Sequence, residues 1–273
     1  MASFSSDQAE GLRRMLAGPK PRIISLVSAV GSAEKASVLL NLASSLTRAG
    51  SAVLLLDACS PSNALAQRLG VARAATLIQV ARQERGLNEV AQRTAQGFSV
   101  ATLARESLKA SLQDADQARR LANAFGVLAG QSDIMLVDAE LDADDGFPVP
   151  AMQRGEIVVQ VANSGSSITA AYAIIKRLAG LLGRRSFGIL VTGANETEAA
   201  QVYANMAQAA SRYLAVPLTA TGWVPADDEL RRATDLGRAV VDAFPLAGAA
   251  VAFRRLAGHF VNAETGVAES AYA

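Results

Sequence analysis

Ile23-Ile24-Ser25-Leu26-Val27-Ser28 leads into Ala29-Val30-Gly31-Ser32-Ala33-Glu34-Lys35-Ala36, then an amphipathic stretch from Ser37 to Arg48, then Val53-Leu54-Leu55-Leu56-Asp57. The pattern predicts a strand, a turn the size of a phosphate loop, a helix and a second strand. A working phosphate loop reads G-x-x-x-x-G-K-[ST]. Its glycines let backbone N–H groups wrap the phosphates, its lysine reaches the β/γ oxygens, and its hydroxyl holds Mg²⁺. Here Ala29 and Glu34 fill the two glycine positions and Ala36 the hydroxyl position, which leaves Lys35 where the motif wants it. The skeleton is that of a nucleotide-dependent switch, and most of the chemistry is gone.

Working outward, apolar β-rich runs recur at 23–28, 53–57, 98–103, 133–138, 156–161, 187–192 and 218–224. Several are apolar at consecutive positions, as parallel strands covered on both faces are. Helical patterns fall between them at 37–49, 114–129, 167–182, 196–213, 227–236 and 247–261. This alternation predicts an α/β fold with a doubly wound, mostly parallel sheet flanked by helices. Ligands on such sheets sit beyond the carboxyl ends of the strands, which places residues 29–36, Asp57 and Asp138 on one rim. Three regions are expected: an N-terminal helix and linker at 1–21, the main domain at 22–262 and a tail at 263–273.

With 51% hydrophobic residues the chain can bury a large core, and its net charge of +1 gives no bulk attraction to nucleic acid or membrane. Cys59 is the only cysteine, which excludes an internal disulfide and fits a reducing compartment. Met1 to Asp7 has neither the basic nor the apolar region of a signal peptide, and no apolar run approaches the ~20 residues of a spanning helix. A cytoplasmic protein is expected. In the N-terminal segment, Ser5-x-x-Gln8 can form a capping box, Leu12, Met15 and Leu16 make a short apolar stripe, and Gly18-Pro19 stops the helix. So short a helix is marginal alone in water and needs something to fold against.

Asp7-Gln8-Ala9-Glu10-Gly11-Leu12-Arg13 resembles the N-terminal motif of the FlhG/FleN/YlxH family of flagellar number regulators, MinD-like P-loop ATPases. Three further stretches carry the likeness. Ser166-Ser167-Ile168-Thr169-Ala170-Ala171-Tyr172 is similar to the family's S-S-I-T-D-A-Y run. Gly222-Trp223-Val224-Pro225-Ala226-Asp227 is similar to its G-x-I-P-x-D strand end. Arg238 to Pro245 with Ala252 to Ala257 is similar to its final helical region. The resemblance runs from residue 7 to about 261.

What it implies is a nucleotide site made by Gly31, Lys35, Asp57, Asp138, Thr192 and Pro225, in degenerate form. Val30 stands where the family has the lysine that crosses an ATP-sandwiched dimer. Cys59 stands where an aspartate positions the attacking water, and Thr192 where an asparagine contacts adenine. ATP with Mg²⁺ is thus the implied cofactor, with hydrolysis expected to be lost or very weak and no catalytic residue assigned. The implied partner is the SRP-type GTPase FlhF, engaged through Asp7, Gln8, Ala9, Gly11, Leu12 and Arg13. Other flagellar assembly or transcriptional regulators, and a homodimer, are further partners the resemblance allows. The family's amphipathic membrane-targeting helix has no counterpart in the small, acidic tail.

Rival readings are an active ATP-dependent dimerising switch and a ParA-like partition or cellulose-synthesis regulator. The near-neutral charge argues against the partition protein, which usually carries a basic surface for DNA. Among single residues, Asp57 and Asp138 fit turn caps as well as Mg²⁺ ligands. Cys59 reads as a small buried hydrophobe, His259 as a surface or interface residue, and Trp223 as core. No metal site is readable.

Overall fold

The computed structural model describes residues 20–59, 65, 69, 74–108, 112–141 and 146–269, with side chains to 261. The expected partner segment at Asp7–Arg13 lies outside the described residues. Eight strands form one sheet: β1 (Arg22–Ser28), β2 (Val53–Asp57), β3 (Gln92–Arg93), β4 (Ser99–Thr102), β5 (Ile134–Asp138), β6 (Glu156–Ala162), β7 (Phe187–Thr192) and β8 (Leu218–Val224). Their order is β3-β4-β2-β5-β1-β6-β7-β8, parallel throughout except for the β3 edge. The seven expected strands are all present, and the doubly wound fold class holds.

The central strands β2 and β5 are buried at every position, which explains their unbroken apolar runs. Helices among the described residues are α1 (Ser32–Arg48), α2 (Leu77–Ala81), α3 (Ala115–Ala129), α4 (Pro150–Arg154), α5 (Gly165–Leu182), α6 (Glu196–Leu214), α7 (Asp228–Asp235), α8 (Val240–Ala243) and α9 (Gly248–Glu269). One core layer packs α1, α8 and α9 on the sheet face carrying Ile24, Leu26, Leu55 and Leu136. The other packs α2, α3, α5 and α6 on the face carrying Val27, Leu54, Leu56 and Val137. Helix starts are chemically marked. Asp114 accepts from the N–H groups of Asp116 and Gln117, and Asn195 and Glu198 form a reciprocal capping box.

Two boundaries differ from expectation. The helix expected at 37–49 begins at Ser32, so five residues assigned to the loop are helical. Ser32, Ala33 and Glu34 suit a first helical turn, where an acidic side chain meets the positive end of the helix dipole. The last helix, expected to end at 261, continues to Glu269 and takes up most of the expected tail.

The chain leaves β1 for α1 on one face of the sheet and leaves β6 for α5 on the other. The carboxyl ends of these neighbouring strands therefore open a crevice at a topological switch point, the usual ligand position in such folds.

Candidate functional site

Between β1 and α1 there remain Ala29, Val30 and Gly31, and much of their backbone is already engaged. Ala29 N–H donates to Gln160 O (2.9 Å), Val30 N–H to Ser28 Oγ (3.1 Å), and the N–H groups of Glu34 and Lys35 to Gly31 O (3.1 Å each). Ser167 Oγ, from the first turn of α5, donates to Ala29 O (3.1 Å). A phosphate nest aims such amides outward at the ligand; here they close the turn. Gly31 has φ −62° and ψ 151°, backbone that any residue adopts, so the loop's surviving glycine uses none of its freedom.

Lys35, the one matching residue of the motif, turns inward. Its Nζ lies 2.5 Å from Asp138 Oδ1, donates to Ala139 O (2.6 Å) and reaches Cys59 Sγ (3.4 Å). Its side chain is 8% exposed and that of Asp138 5%. Burial works against the ammonium charge. Asp138 first, and Cys59 after it, outweigh that, so the lysine is held above its ordinary value. Asp138 thus serves as the counter-ion of Lys35.

Asp57 lies beside it, since the parallel register pairs Asp57 with Asp138 across β2 and β5, and its Oδ1 accepts from Cys59 N–H (3.4 Å). Cys59 is not the apolar filler expected. Its thiol donates to Asp138 Oδ1 (3.1 Å), and burial pushes that thiol far up, with Lys35 pulling the other way.

Glu34, in the second glycine position, is tied across the crevice. Thr192 Oγ1, at the end of β7, donates to Glu34 Oε1 (2.7 Å). The two departures from the motif that sit 158 residues apart in sequence are bonded to each other. Beyond this bond lies a cleft of about 710 Å³ lined by Val38, Thr192, Pro225, Asp228, Arg231 and Thr234, among others. That volume is within the range of small-molecule sites.

The structure therefore gathers Gly31, Lys35, Asp57, Asp138, Thr192 and Pro225 on one rim. Lys35 and Asp138 are bonded to each other there, while Thr192 and Pro225 line the open cleft. Sequence reading missed the supporting residues Ser28, Gln160 and Ser167. Gln160 Nε2 is buried with no partner, while its Oε1 accepts from Ser28 Oγ (3.2 Å).

Elsewhere, Trp223 is half-buried under the Arg255 guanidinium, 4.5 Å from its ring centre, and His259 is exposed at the edge of Phe260. No three acidic, His or Cys side chains among the described residues gather into a metal site. No helix among them is long and apolar enough to cross a membrane.

No protein-family model matches the chain. It is 28% identical over 237 residues to the antiactivator FleN of Pseudomonas aeruginosa, covering 86% of this chain and 85% of that protein. The fold matches the cell division ATPase MinD of Pyrococcus furiosus with a TM-score of 0.64 at 24% identity, over 88% of this chain and 98% of that one. It also matches MinD complexed with Mg-ADP from Pyrococcus horikoshii, with a TM-score of 0.62 at 24% identity, covering 87% and 94%. A ParA family ATPase from Chlorobium tepidum gives 0.63 at 16% identity, covering 88% and 98%. The resemblance to the FlhG/FleN/YlxH family is borne out as a likeness: the chain is similar to FleN over most of both lengths and has the MinD/ParA-type fold.

Proposed function

We propose that this FleN-like protein regulates flagellar number or placement in the cytoplasm through protein–protein contacts, with ATP hydrolysis lost or severely weakened. Its N-terminal Asp7, Gln8, Ala9, Gly11, Leu12 and Arg13 engage an SRP-type GTPase of the FlhF kind and stimulate its GTP hydrolysis. Contacts with flagellar transcriptional regulators belong to the same reading, in keeping with the antiactivator it resembles.

The observation that carries the reading is the pair of internal bonds, Glu34–Thr192 and Lys35–Asp138, at the place where Mg-ATP would sit. The residues present do not fit that cofactor. A carboxylate occupies the phosphate side, and a phosphate oxygen about 4 Å from it would be repelled by roughly 1–4 kcal/mol per charge pair. Ala36 offers no metal-binding oxygen, and the lysine already has a counter-ion. Mg²⁺ would supply charge neutralisation during phosphoryl transfer, and nothing here replaces the hydroxyl that holds it.

One observation favours a second reading, an active ATP switch: the base-side cleft with Thr192 and Pro225 is still open. Calorimetric titration with Mg-ATP and Mg-ADP separates the two. Absence of heat at high micromolar nucleotide supports the pseudo-ATPase. Micromolar binding abolished by Lys35→Ala overturns it. The partner half is tested separately. Gln8→Ala with Arg13→Ala is expected to abolish stimulation of the GTPase, and unchanged stimulation would sink that half.

A further inference from the structure

On the face covered by α9, one corner of the sheet lies open. The amino-terminal halves of β6, β7 and β8 floor a cleft of about 650 Å³ with Val158, Gly188, Thr219 and Thr221, and His259 and Phe260 of α9 wall it. The floor is made of small and uncharged side chains, apolar at Val158 and Ala220 and hydroxyl-bearing at Thr219 and Thr221. At Gly188 an added Cβ would stand 2.5 Å from Thr221 Oγ1 and 3.2 Å from Val158 Cγ2, so those two side chains already lie against its backbone and leave the floor level. Thr219 is exposed on a strand that carries no charged residue and no proline. Edge strands left this plain are normally covered.

The described chain enters the fold at this cleft. Arg22, the first residue of β1, holds Glu156 with its guanidinium (Nη2 to Oε2, 2.9 Å), donates to Phe260 O and lies 5.2 Å from the centre of the Phe260 ring. Glu156 and Phe260 both line the cleft. Neighbouring strands are about 4.8 Å apart, so the floor on β6 to β8 lies roughly 5–14 Å to the side of Arg22. Residues 17–21, fully extended, span at most about 17 Å. The apolar stripe Leu12, Met15 and Leu16 comes just before this tether, and both the segment (Asp7, Glu10, Arg13, Arg14) and the rim (Arg154, Arg185, Glu156) carry charges of both signs.

We infer that the segment around Leu12, Met15 and Leu16 docks into this cleft of its own chain. The docked stripe shares Leu12 with the proposed GTPase contact and follows it directly in sequence, so the domain holds its partner-binding segment in reserve. That regulatory meaning rests on the proposed function; the docking does not.

The test uses the full chain without partner, carrying p-benzoyl-phenylalanine in place of Leu16. Irradiated at low concentration and mapped by mass spectrometry, it is expected to crosslink within the chain to the peptides holding Thr219–Thr221 or His259–Phe260. Thr219→Arg and, separately, Met15→Asp are each expected to abolish that crosslink. The second change leaves every residue of the sheet as it is, which separates loss of docking from a folding defect. Crosslinks that form only between chains, map to another surface, or persist in both variants overturn the docking. If the crosslink is lost in Thr219→Arg while GTPase stimulation does not rise, the partner reading fails and the docking stands.

Discussion

Asp138→Asn removes one charge from the buried pair with Lys35 and changes almost nothing in size. The lysine, with 8% of its side chain exposed, then keeps an uncompensated charge or gives up its proton. Releasing the proton sets the ceiling: neutralising a lysine of ordinary value 10.5 at pH 7 costs about 5 kcal/mol. Breaking a buried pair by losing one partner typically costs about 3–5 kcal/mol. For domains of this size a destabilisation of 1 kcal/mol lowers Tm by about 2–4 °C, so a fall of roughly 6–20 °C is expected. The pH dependence separates this from a generic defect. In the native protein the lysine sits above its ordinary value, so its contribution is complete below about pH 10.5 and is lost only as pH rises through the folded value. In the variant a neutral buried lysine makes the unfolded state the better proton binder. Stability should then climb by roughly 3 kcal/mol between pH 7 and pH 9, while the native protein stays flat through this residue. Circular dichroism melts at the two pH values read both effects. A variant that melts within about 2 °C of the native protein at pH 7, or gains nothing by pH 9, would refute the reasoning.

Glu34→Gly with Ala36→Thr removes the carboxylate and restores a metal-binding oxygen; it should raise Mg-ATP affinity by one to two orders of magnitude, read by calorimetry, given roughly 1–4 kcal/mol of relieved repulsion. Cys59, with its thiol pushed up by burial, should resist iodoacetamide at pH 8 until the protein unfolds, checked by mass spectrometry with and without denaturant. Gly155→Ala would place a methyl 2.2 Å from the Ile23 carbonyl oxygen, a backbone clash expected to cost at least about 1–3 kcal/mol in urea unfolding. Arg255→Ala should shift Trp223 emission and cost about 0.5–1 kcal/mol, since the guanidinium lies over the indole.

The sheet was legible because its strands are buried on both faces: Val53–Asp57 and Ile134–Asp138 announce themselves as apolar runs ending in an acid. The rim was legible for the same reason, since strand ends fix where Asp57 and Asp138 meet. The start of α1 was misread because residues 29–36 were held to the frame of a phosphate loop, whereas local propensity at Ser32–Glu34 already favoured helix. The short α2 was missed although Thr76-x-x-Gln79 is a capping signal; in the structure Gln79 Oε1 accepts from Thr76 N–H (2.9 Å). The Glu34–Thr192 bond had no local signal at all. Neither residue alone says that it has a partner, and only the return of the chain to the neighbouring edge of the crevice brings them together. The polar life of Cys59 was hidden likewise, because composition knows nothing of a lysine and an aspartate arriving from two other elements.

The counter-ion of Lys35 is part of the polypeptide and is therefore supplied once, at synthesis. A domain completed by a diffusible anion gains or loses stability with the concentration of that anion, and so follows the metabolic state of the cell. A domain that encodes its own anion has cut that link. On the proposed function, starvation or plenty leaves the Lys35 pairing as it was. On that same proposal, whatever information the protein relays is then set by how many copies the cell makes and by which surfaces meet them.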